Sequence, residues 1–524
     1  MNADSKNTPG KKLKRSWYVF LGLCALVALF YAEEYGRGRW AWEDFKQEWE
    51  AKGEKFNRNA FVPPAVPDDQ NFATTPMVYS CYGQILTRDG KTIPYEKRDS
   101  NLLNRLEIPV GNYSLAEPTN GIGDRVKATL TDLRPWQDYY RQLAATTNFF
   151  PVPPQTGAPA ADVLVALSKY DGAIEELRQA ARLPASRFPL DYDEKFPSII
   201  LFPHLAPLKI VTRTLMLRSL GELQNGESAK ALADISLAFR LNESIRTEPI
   251  LISHLVRIAM LQITLQPIYE GLAGHRWSDA QLAGLESELA KLDFLADYQL
   301  AMRGELTLFQ VGTMEYARRH PEVLLPVCIL TEDDSRPSAF DNWLAKTLVH
   351  LIPSGWFYQN QVRCARMMVK NYIPLADVKQ NTFLPSGVRQ ADAVLESETA
   401  KITPYNWLER LLLPALSKAA KKFAYAQSST DLARTAIALE RYRLANGEYP
   451  QSLPTLAPQF IAQVPHDVIN GQALKYQRVS NGQFVLYSIG WNETDDGGVV
   501  GFQENRPDRI DLDKGDWVWR YPAK

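Results

Sequence analysis

Six histidines, His204, His254, His275, His320, His350 and His466, are scattered through the 524-residue chain. None stands in the H-E-x-x-H spacing that sets two imidazoles on one helix face, and neither a phosphate-binding loop nor a G-x-S-x-G elbow occurs. His466 and Asp467 are neighbours, but an Asp in a loop is first of all a turn cap. Glu332, Asp333 and Asp334 read as a solvated turn, and general acid–base work would need them to face a cleft. The most oxygen-rich stretch follows Gly490: WNETDDGG, then Asp508, Asp511, Asp513 and Asp516. Calcium takes roughly six to eight oxygens from short flexible loops of this composition. The competing reading is acids that cap turns and face water.

The four cysteines, Cys24, Cys81, Cys328 and Cys364, match neither a zinc pattern nor a disulfide framework. A Cys328–Cys364 bridge is open in an oxidising compartment, and buried free thiols are the alternative. With 45% hydrophobic and 23% charged residues and a net charge of −1, the composition is that of a globular protein. Such a balance argues against nucleic acid, which needs a concentrated basic face.

What must position these groups begins with WYVFLGLCALVALFYA, Trp17 to Ala32, uncharged and preceded by Lys11, Lys12, Lys14 and Arg15. A spanning helix needs about 17–25 apolar residues, and aromatic residues at both ends (Trp17, Tyr18, Tyr31, Tyr35) suit headgroup level. The basic flank predicts residues 1–15 in the cytoplasm and the bulk of the chain across the membrane. Cleavage candidates carry bulky residues where small ones are needed. Leu23, before Cys24, is a poor context for lipidation. An uncleaved signal anchor is therefore expected, with the lipid bilayer as partner through Trp17–Ala32.

In order, the chain reads as a basic tail (1–15), a transmembrane anchor (16–32) and a stalk helix (33–60) ended by Gly53. A Pro-rich extended linker (61–76), a mostly helical domain (77–373) and a second linker (374–404) lead to a C-terminal α+β module (405–524). Trp42, Phe45 and Trp49 make one stripe on the stalk, expected to pack on the next domain. A turn is predicted at Arg88–Lys91. Amphipathic segments are predicted over 126–148, 160–181, 208–224, 228–245, 250–273, 278–291 and 297–319. The hairpin over 208–245 resembles a single tetratricopeptide unit, but without a 34-residue period a compact helical domain is favoured over a repeat array. Helix returns over 405–445 with a kink at Pro414, then stops at Asn446-Gly447. Strands are predicted over 473–479 and 483–489, joined by Ser480-Asn481-Gly482, and the acidic tail beyond Gly490 reads as loop.

In this last region ALERYRLANGEYPQSL (Ala438–Leu453), VPHDVINGQALKYQ (Val464–Gln477) and FVLYSIG (Phe484–Gly490) resemble the globular part of the major pseudopilins of type II secretion. Tyr442, Asn446, Gly447, Tyr449, Pro450, Pro465, Asp467, Gly471, Tyr476, Ser488 and Gly490 carry the likeness, over roughly residues 430–515. The chain as a whole resembles large bacterial single-pass anchored proteins ending in this module. The resemblance implies a long helix packed on an antiparallel hairpin, and a calcium loop in which Asn492 takes the place of the first Asp and Asp508 and Asp511 those of later ligands. Asp495 and Asp496 are further candidates without a matched position. Because the module is internal and its helix carries Arg410, Lys418, Lys421 and Lys422, filament assembly is not expected.

The expected fold is thus mainly α, with an N-terminal transmembrane helix, a large helical domain and a small α+β end. The expected role is a structural or protein-interaction protein outside the cytoplasm, held in the inner membrane. The alternatives are an envelope hydrolase with its site in the helical domain, or a secretion accessory that binds pseudopilin-type partners.

Overall fold

The computed structural model describes residues 9–81, 84–86, 92–94, 118, 120–147, 149–192, 197, 200–324, 346–480 and 482–522. The fold is mainly α with a small antiparallel C-terminal sheet. Its first element, α1 (Pro9–Glu50), runs unbroken through both the apolar run and the stalk. The end is set by Gly53, at φ +96°, where the amides of Lys52 and Glu54 both donate to Trp49 O at 3.0 Å. Only glycine enters this left-handed region without steric cost. The aromatic stripe packs as expected: Trp42 and Phe45 are buried, each with its ring 5.7 Å from that of Phe56.

Residues 61–76 are not an extended linker. Short 3-10 turns at Asp68–Gln70 and Phe72–Thr74 bring Phe72 into the core. The Asn71 amide exchanges hydrogen bonds of 2.8 and 3.0 Å with the Arg187 backbone. Proline fixes φ and bars regular helix, but it does not keep the chain off a neighbouring surface.

After α2 (Pro76–Tyr79) and the hairpin β1 (Gln84–Leu86) and β2 (Thr92–Pro94) come α3 (Arg134–Thr147), α4 (Pro159–Leu167) and α5 (Asp171–Ala180). Then follow α6 (Leu205–Gln224), α7 (Ser228–Glu243) and α8 (Leu251–Ala273). Residues 126–133 lie before α3 rather than in it, and a 3-10 turn at Ser168–Tyr170 divides the segment predicted as one helix over 160–181. α9 (Asp279–Leu289) opens on a capping box between Ser278 and Gln281. α10 (Phe294–Gly304) is capped by Asp293, which accepts from the amides of Leu295 and Ala296. A π turn at Glu305–Val311 joins it to α11 (Gly312–Arg319).

The second expected linker, 374–404, is largely ordered structure. α12 (Ser354–Met367) leads to a two-residue hairpin, β3 (Ala376–Asp377) with β4 (Thr382–Phe383), and then to α13 (Pro385–Thr399). Val388, Ala391 and Leu395 form its buried stripe. Pro385 stands in the first turn, where its missing N–H costs nothing, so proline here starts a helix instead of marking a linker. At Pro414 the chain breaks between α14 (Trp407–Leu412) and α15 (Leu416–Asn446), a sharper event than the expected kink. α15 ends at Gly447, φ +86°, as its Asn-Gly signal predicts.

β5 (Lys475–Arg478) and β6 (Phe484–Ser488) form the predicted hairpin. The tail is more than loop: β7 (Val500–Gln503) pairs with β8 (Arg506–Gly515), and β9 (Trp517–Arg520) pairs with β6 to give the order β5-β6-β9. α15 is buried on nearly all sides over Leu416–Glu440 and shares one apolar core with α8, α9, α10 and the sheet. The C-terminal region thus packs on the helical body through this shared core. Phe294 N donates to Gln427 Oε1 at 2.9 Å, and Arg434 and Arg441 of α15 pair with Glu286 and Asp279 of α9. A second core joins Phe72, Met77 and helices α3 to α7. Cys364 is a buried free thiol. Cys328, the Glu332–Asp334 run and the turn at Arg88–Lys91 lie outside the described residues.

Candidate functional site

α1 changes character at Glu34. From Trp17 to Phe30 its large apolar side chains face outward on every side, with Leu23 at 57% and Leu26 at 65% exposure. Beyond, it is held by backbone-to-backbone contact with α12. A Cβ on Gly38 would lie 2.5 Å from Gly355 O, and one on Gly355 would lie 2.0 Å from Glu34 O. Around this crossing the buried Glu34 carboxylate accepts from Tyr405 Oη at 2.9 Å and Arg37 Nη2 at 2.6 Å. Arg37 also donates to Tyr405 Oη at 3.1 Å. The helix is thus long and apolar enough at one end to cross a membrane and rooted in the protein body at the other.

The five residues considered for calcium do not form a common site. Asp495 receives the Lys475 ammonium at 3.0 Å, Tyr487 Oη at 3.0 Å and Gly497 N at 3.1 Å. Asn492 Nδ2 donates to Asp496 Oδ2 at 2.8 Å, and Thr494 N donates to Asn492 Oδ1 at 3.1 Å. Asp508 and Asp511 lie on β8, where Asp511 accepts from Asp513 N at 3.0 Å. Among the described residues no group of three or more His, Cys, Asp or Glu side chains could hold a metal ion. The Lys475 ammonium is thus the cation that Asp495 already holds. The acid that organises the loop is Asp516, buried, which accepts from Gly498 N at 2.6 Å and Asp496 N at 3.2 Å.

Asp467 caps its turn, as expected. Its carboxylate accepts from Ile469 N at 3.0 Å, Ser488 Oγ at 2.7 Å and Ile489 N at 2.9 Å. His466 turns away to Asn381 O at 3.1 Å. Other residues of the quoted motifs also meet: Tyr476 Oη donates to Pro450 O at 2.8 Å, and Tyr449 Oη donates to Glu440 at 2.9 Å.

The helical body holds a buried polar centre that sequence spacing did not reveal. His204 Nε2 lies 2.8 Å from Glu248 Oε1, and Ser253 Oγ donates to the other oxygen of the same carboxylate. The order is Ser–Glu–His, not Ser–His–Asp, so no imidazole is placed to take the serine proton. All three side chains are buried. Next to them His254 Nε2 donates to Glu248 O at 2.9 Å, leaving Nδ1 to accept from Arg257 at 3.4 Å. Burial, then the Arg257 charge, lowers the His254 pKa to about 3, so this ring stays neutral. Arg257 pairs with Asp297 in the same interior. The arrangement pairs His204, Glu248, Ser253, His254, Arg257 and Asp297 with one another inside the body.

A groove of about 750 Å³ between α13 and α15 is open and of mixed charge, lined by Arg389, Asp392, Glu396, Arg410, Lys418 and Lys421 with Trp491. Tyr372 Oη and Ser417 Oγ donate to Asp392 at 3.1 and 2.6 Å, while Lys421 pairs with Asp513 and stands 5.9 Å from the Trp491 ring centre. Asp392 and Lys421 are thus both engaged by protein groups. Sequence reading missed this groove because α13 was taken for a linker; the Val388, Ala391, Leu395 spacing was the signal. It also missed the Gly38–Gly355 crossing, for which two isolated glycines inside helical patterns were the available hint. No family model, curated protein or solved structure matches the chain.

Proposed function

We propose that this chain is a membrane-tethered scaffold: residues 1–15 cytoplasmic, Trp17–Ala32 in the inner membrane, and the helical body outside the cytoplasm, where it binds envelope proteins. One observation carries the reading. A single rigid helix presents bare apolar surface from Trp17 to Phe30 and is fused into the body core from Glu34 onward. Exposed surface of this kind is unfavourable in water and favourable in lipid, and a continuous helix passes orientation from bilayer to body. The basic residues before Trp17 support the cytoplasmic assignment of the N-terminus. The hydrogen bonds of Ser488 to Asp467, Tyr449 to Glu440 and Tyr476 to Pro450 support a pseudopilin-like C-terminal end, and the α13–α15 groove supplies a charged, aromatic face for a partner protein.

The test uses the full chain. A periplasm-dependent phosphatase fused after Lys524 is expected to be active, and the protein is expected to resist carbonate extraction. Activity only of a cytosolic reporter would overturn the orientation. For the partner role, chemical cross-linking in intact membranes should give a discrete protein adduct that the paired change Arg389→Glu and Lys418→Glu abolishes. An adduct pattern unaffected by that change would remove the groove from the interface.

A further inference from the structure

We propose that the loop Lys346–Ile352 rests on the outer headgroups of the bilayer that α1 crosses, giving the body a second, peripheral membrane contact. The inference builds on the reading of α1 as an anchor. α1 and α12 run side by side in the same direction. Tyr31 Oη donates to Leu351 O, Glu34 and Gly38 meet Gly355, and the Tyr35 ring lies 6.0 Å from that of Tyr358 one turn further along α12. The chain just before Ser354 therefore lies at the membrane-ward end of the pair, level with the last aromatic of the apolar run. Tyrosine at that point of a spanning helix marks the headgroup layer.

The side chains of the loop suit that level. Leu348 and Leu351 are 52% and 57% exposed, while Val349 between them is buried in a small separate core with Leu408 and Phe357. Residues three apart on a helical turn share a face, so the two leucines project together, away from the body. Lys346 and His350 are exposed beside them. Leucines entering the acyl boundary while flanking basic groups stay among headgroups is how interfacial segments bind. Scattered exposed leucines need no explanation in general. What distinguishes these is the hydrogen bond tying their loop to the exit point of the apolar helix.

The experiment places the photoreactive residue p-benzoylphenylalanine, one site at a time, at Leu348, Leu351, Val27 or Leu444 of the full chain. Leu444 is an exposed control on the last turn of α15. Each protein is reconstituted in vesicles of phosphatidylethanolamine and radiolabelled phosphatidylglycerol and irradiated. Lipid adducts at Leu348 and Leu351 several-fold above Leu444, and of the order seen at Val27, are expected. Adducts at Val27 with none at the two loop sites would overturn the loop contact and leave the anchor standing. No adduct at any site, Val27 included, would sink both. In native membranes, a protein adduct at Leu348 or Leu351 in place of lipid would show that a partner covers this face, and would overturn the proposal.

Discussion

Two helices among the described residues are long and apolar enough to cross a membrane, and the structure treats them in opposite ways. In α1 none of the apolar window is buried; in α8 61% of it is. Their mean hydropathies, 1.6 and 1.3, barely separate them. What separates them is polar content and the partners it finds. α8 carries Ser253, His254, Arg257, Thr264 and Gln266, all buried, and its polar groups are answered by Glu248, Asp297, Asn242 and the Arg125 amide. The run in α1 carries no charge, and among the described residues none of its apolar window is buried. An apolar helix with polar side chains needs a protein interior that supplies partners, whereas one without them is free to face lipid.

A matched pair of changes tests that contrast most severely. Leu265→Asp, in the α8 core, is expected to unfold the body, a loss above about 4 kcal/mol for an unpaired buried carboxylate. Leu23→Asp should leave the melting temperature of the body unchanged while weakening membrane association in flotation. Unfolding in both variants, or in neither, would erase the distinction. Next, Arg257→Met leaves the buried Asp297 only the more distant Arg246 guanidinium, at 3.8 Å, and should cost about 3–5 kcal/mol in chemical denaturation.

Gly355→Val forces a side chain into the Glu34 backbone and should cost about 1–3 kcal/mol or more. Because it acts at the root of α1, it should also open the α1–α12 crossing to limited proteolysis while leaving the span in the membrane. Uncut protein of wild-type stability would mean that the two helices do not cross as closely as described.

Glu222, on α6, gives a pH-dependent contrast with the surface carboxylates. Burial, with the Asp234 carboxylate second, raises it from 4.5 to about 8. Since the folded pKa lies above the unfolded one, the folded form holds its proton more tightly. The stability this contributes is full below about pH 4.5 and is lost as pH rises through about 8. Glu222→Gln should flatten this slope, which for one proton is at most about 1.4 kcal/mol per pH unit. An unchanged slope would show that Glu222 is ionised in the folded protein. The smallest effect expected is that of calcium: with Lys475 already on Asp495, millimolar calcium should not move the melting temperature. A rise of several degrees that Asp495→Asn or Asp496→Asn removes would restore the cation site.

Local signals were read correctly where the physics is local. Gly53 and Gly447 end helices because each takes a positive φ, and Ser278 starts one by capping Gln281 N. The hairpin over β5 and β6 followed from two β-rich runs around a short turn. Reading failed where proline-rich or acidic composition stood in for contact information. α13 hid behind Pro385, and β7 to β9 hid in a stretch whose acids suggest loop; Trp517 and Trp519 become a strand by packing on Tyr425 and Tyr269. The candidate cation residues could be counted in sequence, but the lysine that neutralises one of them comes from β5.

By itself, then, the order of residues determined an uncharged helix flanked by lysines and arginine, the stops and starts of most helices, and the antiparallel hairpin, because each depends on neighbours within a few positions. Only the tertiary structure decided which apolar helix stays bare, that the C-terminal helix belongs to the main core, and that the acidic tail is paired with protein donors. Those outcomes depend on surfaces brought together from hundreds of residues apart, and burial, not composition, selects among them.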